Sequence, residues 1–319
     1  MLDRGVIAQN LGNTLSETKF EGLGERYGGK VRDVYARGDR IVMVTTDRVS
    51  AFDVVLGTIP FKGQVLNQIA NYWFDVSKEI VANHIVDTPD PSVTVVKRCE
   101  ALPVEVVVRG HITGSLWRAY AGGEREIYGL KLNDGLRRDQ KFPEPIITPT
   151  TKAGAGEHDA PITPAEVVSR GLVDRRLWDE VCKKALALFE TGSKLARERG
   201  LVLVDTKYEF GLQGGRLVLI DEVHTPDSSR YWMAAGYEER FAAGKDQEML
   251  DKENLRQWLL DRGFSGTGTP PALTDEVRVM LAEKYIELFE RMTGRTFEAH
   301  FEPISDRIET NLKKAGYLS

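Results

Sequence analysis

Cysteine is nearly absent from this chain, whose 319 residues hold two, Cys99 and Cys182. Two thiols cannot build a disulfide framework, and the usage is that of a protein of the reducing cytoplasm. Histidine is scarce as well. His84, His111, His158, His224 and His300 are scattered with no metal-ligand spacing to cysteine, which speaks against a zinc site. No apolar run approaches the roughly 20 residues of a membrane span, and the opening MLDRGVIAQN lacks the apolar core of a secretory signal. A basic surplus is missing too. A formal net charge of −5 argues against non-specific nucleic-acid binding, which needs a cationic surface. What remains is an ordinary globular composition, 41% hydrophobic and 29% charged, in a chain long enough for two cores.

Chemistry is concentrated in Leu201–Arg230, LVLVDTKYEFGLQGGRLVLIDEVHTPDSSR. Two runs rich in Val, Leu and Ile flank Gln213-Gly214-Gly215, the mark of a hairpin with a glycine turn. Strict alternation along the first strand sends Val202, Val204, Tyr208 and Phe210 to one face. Asp205, Lys207 and Glu209 then take the other. Register decides where Asp221 falls. A two-residue turn puts it on the face opposite Glu209, whereas a three-residue loop, Gln213 to Gly215, pairs Lys207 with Asp221. The three-residue loop is the expected form, because it gathers Asp205, Lys207, Glu209 and Asp221. Two carboxylates and an ammonium on one face suit Mg²⁺ carrying a phosphate; a surface ion-pair ladder is the competing reading. Thr225–Arg230 reads as an anion clamp or as a polar turn.

Earlier in the chain, residues 1–20 suggest a short capped helix. Tyr27-Gly28-Gly29-Lys30-Val31-Arg32 then reads as a glycine turn between strands. Its backbone could approach a phosphate, with Lys30 and Arg32 on one face, or it is a plain hairpin with two exposed cations. No GxxxxGK[ST] loop is present. Val65, Ile69, Trp73 and Val76 recur at helical spacing over 64–78, and Val93–Cys99 reads as a strand. Leu102–Arg109 is a buried strand running into Gly110-His111-Ile112-Thr113-Gly114-Ser115 and a helix. Ser115 at that helix N-terminus beside Arg109 is either an anion site or an ordinary cap with a structural arginine. His111 is given no role.

Lys131–Phe142 reads as a surface loop, and 147–159 as a long hydroxyl-rich loop of the kind that carries function. Thr163-Pro164-Ala165-Glu166 is a capping box. Helices are expected near 174–199, 252–262, 275–293 and 306–315, with a linker at Gly263–Pro271.

Several of these stretches closely resemble one family, the SAICAR synthetases of purine biosynthesis. They are GKVRDVY at 29–35, TDRVSAFD at 46–53, LPVEVVVRGHITGS at 102–115, TPTTKAGAGEHD at 148–159, LVDTKYEFG at 203–211 and DEVHTPDSSR at 221–230. The resemblance runs from about residue 25 to about residue 294. It implies a cytoplasmic ATP-dependent ligase that joins the carboxylate of carboxyaminoimidazole ribotide (CAIR) to the amine of L-aspartate through an acyl phosphate. The implied cofactors are ATP and Mg²⁺. The implied fold is α+β: an antiparallel nucleotide-binding domain resembling the kinase small lobe over 1–101, and a larger ATP-grasp-like domain with the C-terminal helices over 102–319.

By position, the resemblance places Lys30 and Arg32 over the ATP phosphates and Lys97, Cys99 and Ala101 at the adenine hinge. Glu209 and Asp221 fall at the metal-binding, ATP-contacting acids, with Lys207 and Asp205 beside them as catalytic groups. Arg109, Ser115 and Arg230 fall on the ribotide phosphate and carboxylate, and Asp47, Ser50 and the 148–159 loop on ribotide or aspartate. The implied partners are these small molecules, with no nucleic acid and no membrane, and a homo-oligomer is compatible. A small-molecule kinase would explain Lys30, Glu209 and Asp221 but not the arginine clamp. A regulatory protein that has lost catalysis would not need to keep these charged groups, which cost desolvation.

Overall fold

The structure is a computed structural model that describes residues 2–152 and 160–319. Its first elements follow their cap and turn residues. Asp3 caps helix α1 (Arg4–Gln9) by accepting from the Gly5 N–H at 2.7 Å. Strands β1 (Glu25–Gly28), β2 (Arg32–Arg37) and β3 (Arg40–Thr45) form an antiparallel meander. Its glycine turn is closed by the Gly29 N–H donating to the Arg32 carbonyl at 2.8 Å. β4 (Arg48–Ala51) and β5 (Val54–Thr58) make a separate hairpin, and α2 (Lys62–Ser77) follows. β6 (Ile85–Asp90) and β7 (Val93–Lys97) complete a five-stranded sheet in the order β1–β2–β3–β7–β6.

A second sheet begins with β8 (Glu100–His111), which leads into α3 (Gly114–Ala121). The short pair β9 (Glu126–Ile127) and β10 (Leu130–Lys131) precedes β11 (Lys141–Ile147) and β12 (Thr150–Thr151). The 131–142 stretch therefore enters a strand, and its last residue, Phe142, is buried with Ile112 and Leu116. α4 (Pro164–Ser169) opens with the full capping box at Thr163 and Glu166. Next come α5 (Arg175–Glu198), β13 (Leu201–Gln213), β14 (Arg216–Ile220) and β15 (Ser229–Met233). The sheet order is β11–β8–β13–β14, with β12 on β8 and β15 on β13, every pair antiparallel. α5 lays Trp178, Val181, Ala185, Leu188 and Phe189 on one sheet face, where they join Val106, Val108, Tyr208 and Phe210 in the main core. Burial of each Val, Leu or Phe side chain among them contributes about 1.5–3 kcal/mol.

The chain ends in α6 (Tyr237–Ala242), α7 (Glu253–Leu260), α8 (Asp275–Thr293) and α9 (Ile304–Lys314). Thr274 caps α8, and Gly294 stops it with φ at +71°, the left-handed geometry that glycine adopts without penalty. α8 packs on α2 and α1. The stretch Gly263–Pro271, expected as a linker, buries Phe264 in the main core and lays Gly266 against Phe52. α9 returns to the first sheet. Ile308 and Leu312 pack with Tyr35, Val42, Val44, Val93 and Val95, and Arg307 forks onto Asp90 at 3.0 and 3.2 Å. The last helix, grouped by sequence order with 102–319, thus lies on the sheet of the first hundred residues.

Candidate active site

The β13–β14 hairpin differs from expectation in two ways, and together they build the site. Gln213 pairs with Arg216, so the turn is the two residues Gly214 and Gly215, both at positive φ, the form whose twist suits a hairpin. Glu209 therefore faces Ile220, and simple alternation would carry Asp221 to the other face. The expected three-residue register is wrong, yet Asp221 still reaches the acids. β14 ends at Ile220, and Asp221 takes φ +67°, which turns its carboxylate back to 4.0 Å from the Lys207 ammonium. A left-handed non-glycine residue costs roughly 1–3 kcal/mol and persists where the surroundings impose it.

The second difference is a bulge between Leu203 and Asp205 against β15. It resets the alternation, so Val202 and Val204 pack with Trp232 while Tyr208 and Phe210 face the main core. The four apolar residues do not share one face.

Around Lys207 the charges interlock. Its ammonium donates to Glu105 and Glu209, each at 2.6 Å. Lys152 also pairs with Glu209, and Arg32 pairs with Asp221 and reaches Glu222 at 2.9 Å. Thr150 holds the far oxygen of Glu105 at 3.0 Å. Burial alone would raise the Asp221 carboxyl, but Arg32, then Lys207 and Lys152, hold it well below the usual carboxylate range. Burial and the adjacent Asp221 charge push Glu209 upward. Lys207 is desolvated, yet Glu209, Asp221 and Glu105 keep it charged, well above its ordinary value.

Asp205 is not part of that cluster. It opposes Arg109 on β8 and Arg230 on β15, and its Oδ2 accepts from both, at 3.1 and 2.5 Å. Arg109 also donates to Thr148 at 2.9 Å and lies 3.4 Å from the Ser115 hydroxyl. The three clamp residues named from the sequence, Arg109, Ser115 and Arg230, thus converge, with Asp205 behind them as the anchor.

Ser115 and Arg230 open onto a cleft of about 390 Å³ lined also by Lys30, Ser50, Asp53, Arg118, Lys252, Glu253 and Arg256. Lys30 and Arg32, two residues apart, separate here. Lys30 lines the cleft and pairs with Asp53, whereas Arg32 sits among the acids. Asp47 does not reach the cleft. Buried, it accepts from the Leu15 and Gly63 N–H groups at 2.8 Å each and so ties an extended segment to the start of α2. Lys97, Cys99 and Ala101 lie at the crossing between the sheets, Lys97 and Ala101 exposed and Cys99 partly so. Of the 148–159 loop, 153–159 fall outside the described residues; Thr148, Thr150 and Lys152 thread between clamp and acids.

Comparison with known proteins decides what this arrangement belongs to. The family model for SAICAR synthetase matches residues 25–270. A Bacteroides thetaiotaomicron protein named phosphoribosylaminoimidazole-succinocarboxamide synthase is 50% identical over 94% of this chain and 97% of its own length. The chain belongs to the SAICAR synthetase family. It is accordingly an ATP-dependent ligase that joins L-aspartate to CAIR in purine biosynthesis. Among solved structures, the SAICAR synthase from Saccharomyces cerevisiae complexed with SAICAR aligns with a TM-score of 0.79 and 34% identity, over 89% of this chain and all of that one. A SAICAR synthetase in complex with ADP aligns with a TM-score of 0.66 and 25% identity, over 86% of this chain and all of that one.

In this SAICAR synthetase fold several charged residues escaped sequence reasoning. Glu105, alone among valines on β8, carried the signal of an isolated charge in an apolar run, and Lys152, assigned with its loop to ribotide or aspartate, instead pairs with Glu209 among the acids. Lys62 carried no such signal. It is fully buried at the start of α2 and donates to Asp227 at 2.9 Å. Asp227 also accepts from the Tyr285 hydroxyl at 3.1 Å and faces Lys252 at 3.8 Å. The Thr225–Arg230 turn is thus pinned by α2, α7 and α8, and its carboxylate serves that anchorage. His111 is packed between Trp232 and Tyr237, its pKa lowered to about 4 by burial.

Proposed function

We propose that β13 divides the ligation between two stations on one strand. Lys207, Glu209 and Asp221 receive the ATP phosphates, and Asp205 holds Arg109 and Arg230 ready for the ribotide phosphate and carboxylate. The observation that carries this reading is the spacing along β13. Asp205 anchors the guanidinium pair and, two residues on, Lys207 centres the acids, so a carboxylate in the clamp lies one strand step from the phosphoryl group. Asp205, expected beside Lys207 in catalysis, is here a positioning residue.

Glu209 and Asp221 suit Mg²⁺. They are hard oxygen donors close enough for one charge to raise the other's pKa, and such a pair is relieved by a divalent cation. When bound, the ion would draw charge from the phosphate oxygens. Lys207 would neutralise the moving phosphoryl group, and Arg32 and Lys152 would exchange their acid partners for phosphate oxygens. In the first step a CAIR carboxylate oxygen bonds to the γ-phosphorus while the bond to ADP breaks, leaving an acyl phosphate. In the second, the aspartate amine bonds to the acyl carbon, phosphate departs with the C–O electron pair, and the nitrogen gives up a proton to the departing phosphate. Adenine would sit against Lys97, Cys99 and Ala101, under a first sheet of kinase-small-lobe type, with the second sheet in the ATP-grasp role. The ADP complex of one relative and the SAICAR complex of another support a nucleotide and a ribotide as the ligands of such a fold.

The test is ADP release with ATP and Mg²⁺, adding CAIR and L-aspartate singly and together. Release that requires both is the expected result. Release on CAIR alone, at the same rate with and without aspartate, would make this a kinase on the same scaffold.

A further inference from the structure

The cleft holds more positive charge than the ribotide clamp needs. Lys30, Arg118, Arg230, Lys252 and Arg256 line it against Asp53 and Glu253. Most of these cations already have partners. Arg230 is held by Asp205 and Glu253, Arg256 by Glu253 at 2.8 Å, and Lys30 by Asp53. Arg118 differs from them: among the described residues its guanidinium makes no ion pair and no hydrogen bond. It stands one helical turn beyond Ser115 on α3, and residues three apart share a helix face, so both face the cleft. Its surroundings are cationic. Burial lowers its pKa, and Arg230, Arg256 and Arg109 lower it further against the opposing charge of Glu253. A solvent-accessible arginine crowded by three others, with no ion pair among the described residues, is a ready donor to an incoming anion.

We propose that Arg118, with Arg256 across the cleft on α7, binds a carboxylate of L-aspartate. This rests on the reading above, in which Arg109, Ser115 and Arg230 take the ribotide. The inner wall is then committed to phosphate and ribotide carboxylate, and the two carboxylates of the second substrate still need cations. A planar guanidinium receives a carboxylate through two parallel N–H donors. Arg118 brings a free fork, and Arg256 one shared with Glu253. Anchoring aspartate from the α3 side leaves its amine directed inward, toward the carboxylate held by Arg109. Arg118 is therefore a specificity residue for the amine substrate and takes no part in phosphoryl transfer.

Steady-state kinetics on the full chain test this with Arg118→Gln and, from the other wall, Arg256→Gln. Each should raise KM for L-aspartate tenfold or more while KM for CAIR and for ATP stays within twofold. Arg118→Lys, which keeps the charge and loses the fork, should fall between. An unchanged KM for aspartate in both glutamine variants overturns the proposal. A rise in KM for CAIR instead also overturns it and assigns Arg118 to the ribotide phosphate. Arg109→Ala run in parallel separates this from the underlying reading, because it should raise KM for CAIR and leave ATP alone. If Arg109→Ala leaves KM for CAIR unchanged, the clamp assignment fails whatever Arg118 does. Should Arg118→Gln fail to fold, Arg118→Lys and Arg256→Gln carry the same comparison.

Discussion

Asp221 shows how much one residue can depend on its backbone. Its carboxylate joins Lys207 and Glu209 because φ is positive there, and a carboxylate at that point balances Arg32 and Lys207 together. Asp221→Asn keeps the shape and removes the charge. Turnover should fall at least a hundredfold even at saturating Mg²⁺, a loss of about 2.7 kcal/mol or more in transition-state stabilisation, with the circular dichroism spectrum unchanged. Near-normal turnover would remove Asp221 from the proposed metal pair.

Among the elements, α9 has the clearest separate role. It supplies Ile308 and Leu312 to a small core whose other members come from β2, β3, β7 and the extended segment before β1. Arg307 and Asn311 converge on the buried Asp90 carboxylate. Ending the chain after Pro303 would uncover one face of the first sheet and leave the buried Asp90 carboxylate only the Ser92 N–H at 2.8 Å. The loss exceeds the 2–5 kcal/mol of a single large core truncation. The shortened chain should melt at a clearly lower temperature, the first sheet losing hydrogen-exchange protection before β8 and β13. Equal protection of both sheets would show that α9 is dispensable for the first sheet.

For the molecule as a whole, two carboxyls buried beside backbone N–H groups bind protons more tightly in the fold, opposing the buried rings of His84, His111 and His224, which bind them less tightly. Burial, against the N–H groups of Glu253 and Tyr231, raises Asp251 to about 7, and burial against those of Leu15 and Gly63 raises Asp47 to about 6. The unfolded chain releases these protons near the ordinary value of about 3.9. Between about pH 4 and pH 7 the folded state therefore holds protons the unfolded state has lost, and this pair makes stability fall as pH rises through that window. Asp251→Asn removes its share. Measured by urea unfolding, the variant should gain stability relative to the parent from pH 5 to pH 8. A difference that does not change with pH would mean that Asp251 is ionised in the fold.

Much of the architecture was legible in the chain because it is set locally. The capping box at Thr163, the stop at Gly294 and the glycine turns act over three or four residues, and they appear where the sequence put them. The family motifs likewise marked Arg109, Ser115, Arg230, Lys207, Glu209 and Asp221. The strand register, the bulge at Asp205 and the return of Asp221 were not legible, since period-two alternation carries no sign of where it will be broken. Lys62, Lys152, Glu105 and Arg118 gained their roles from partners, or from the lack of one, far away in the chain. Local sequence determined the elements, the acid and arginine types and the chemistry they can perform. Tertiary structure alone decided which charge meets which, because Coulomb energies depend on the distances and burial that packing creates.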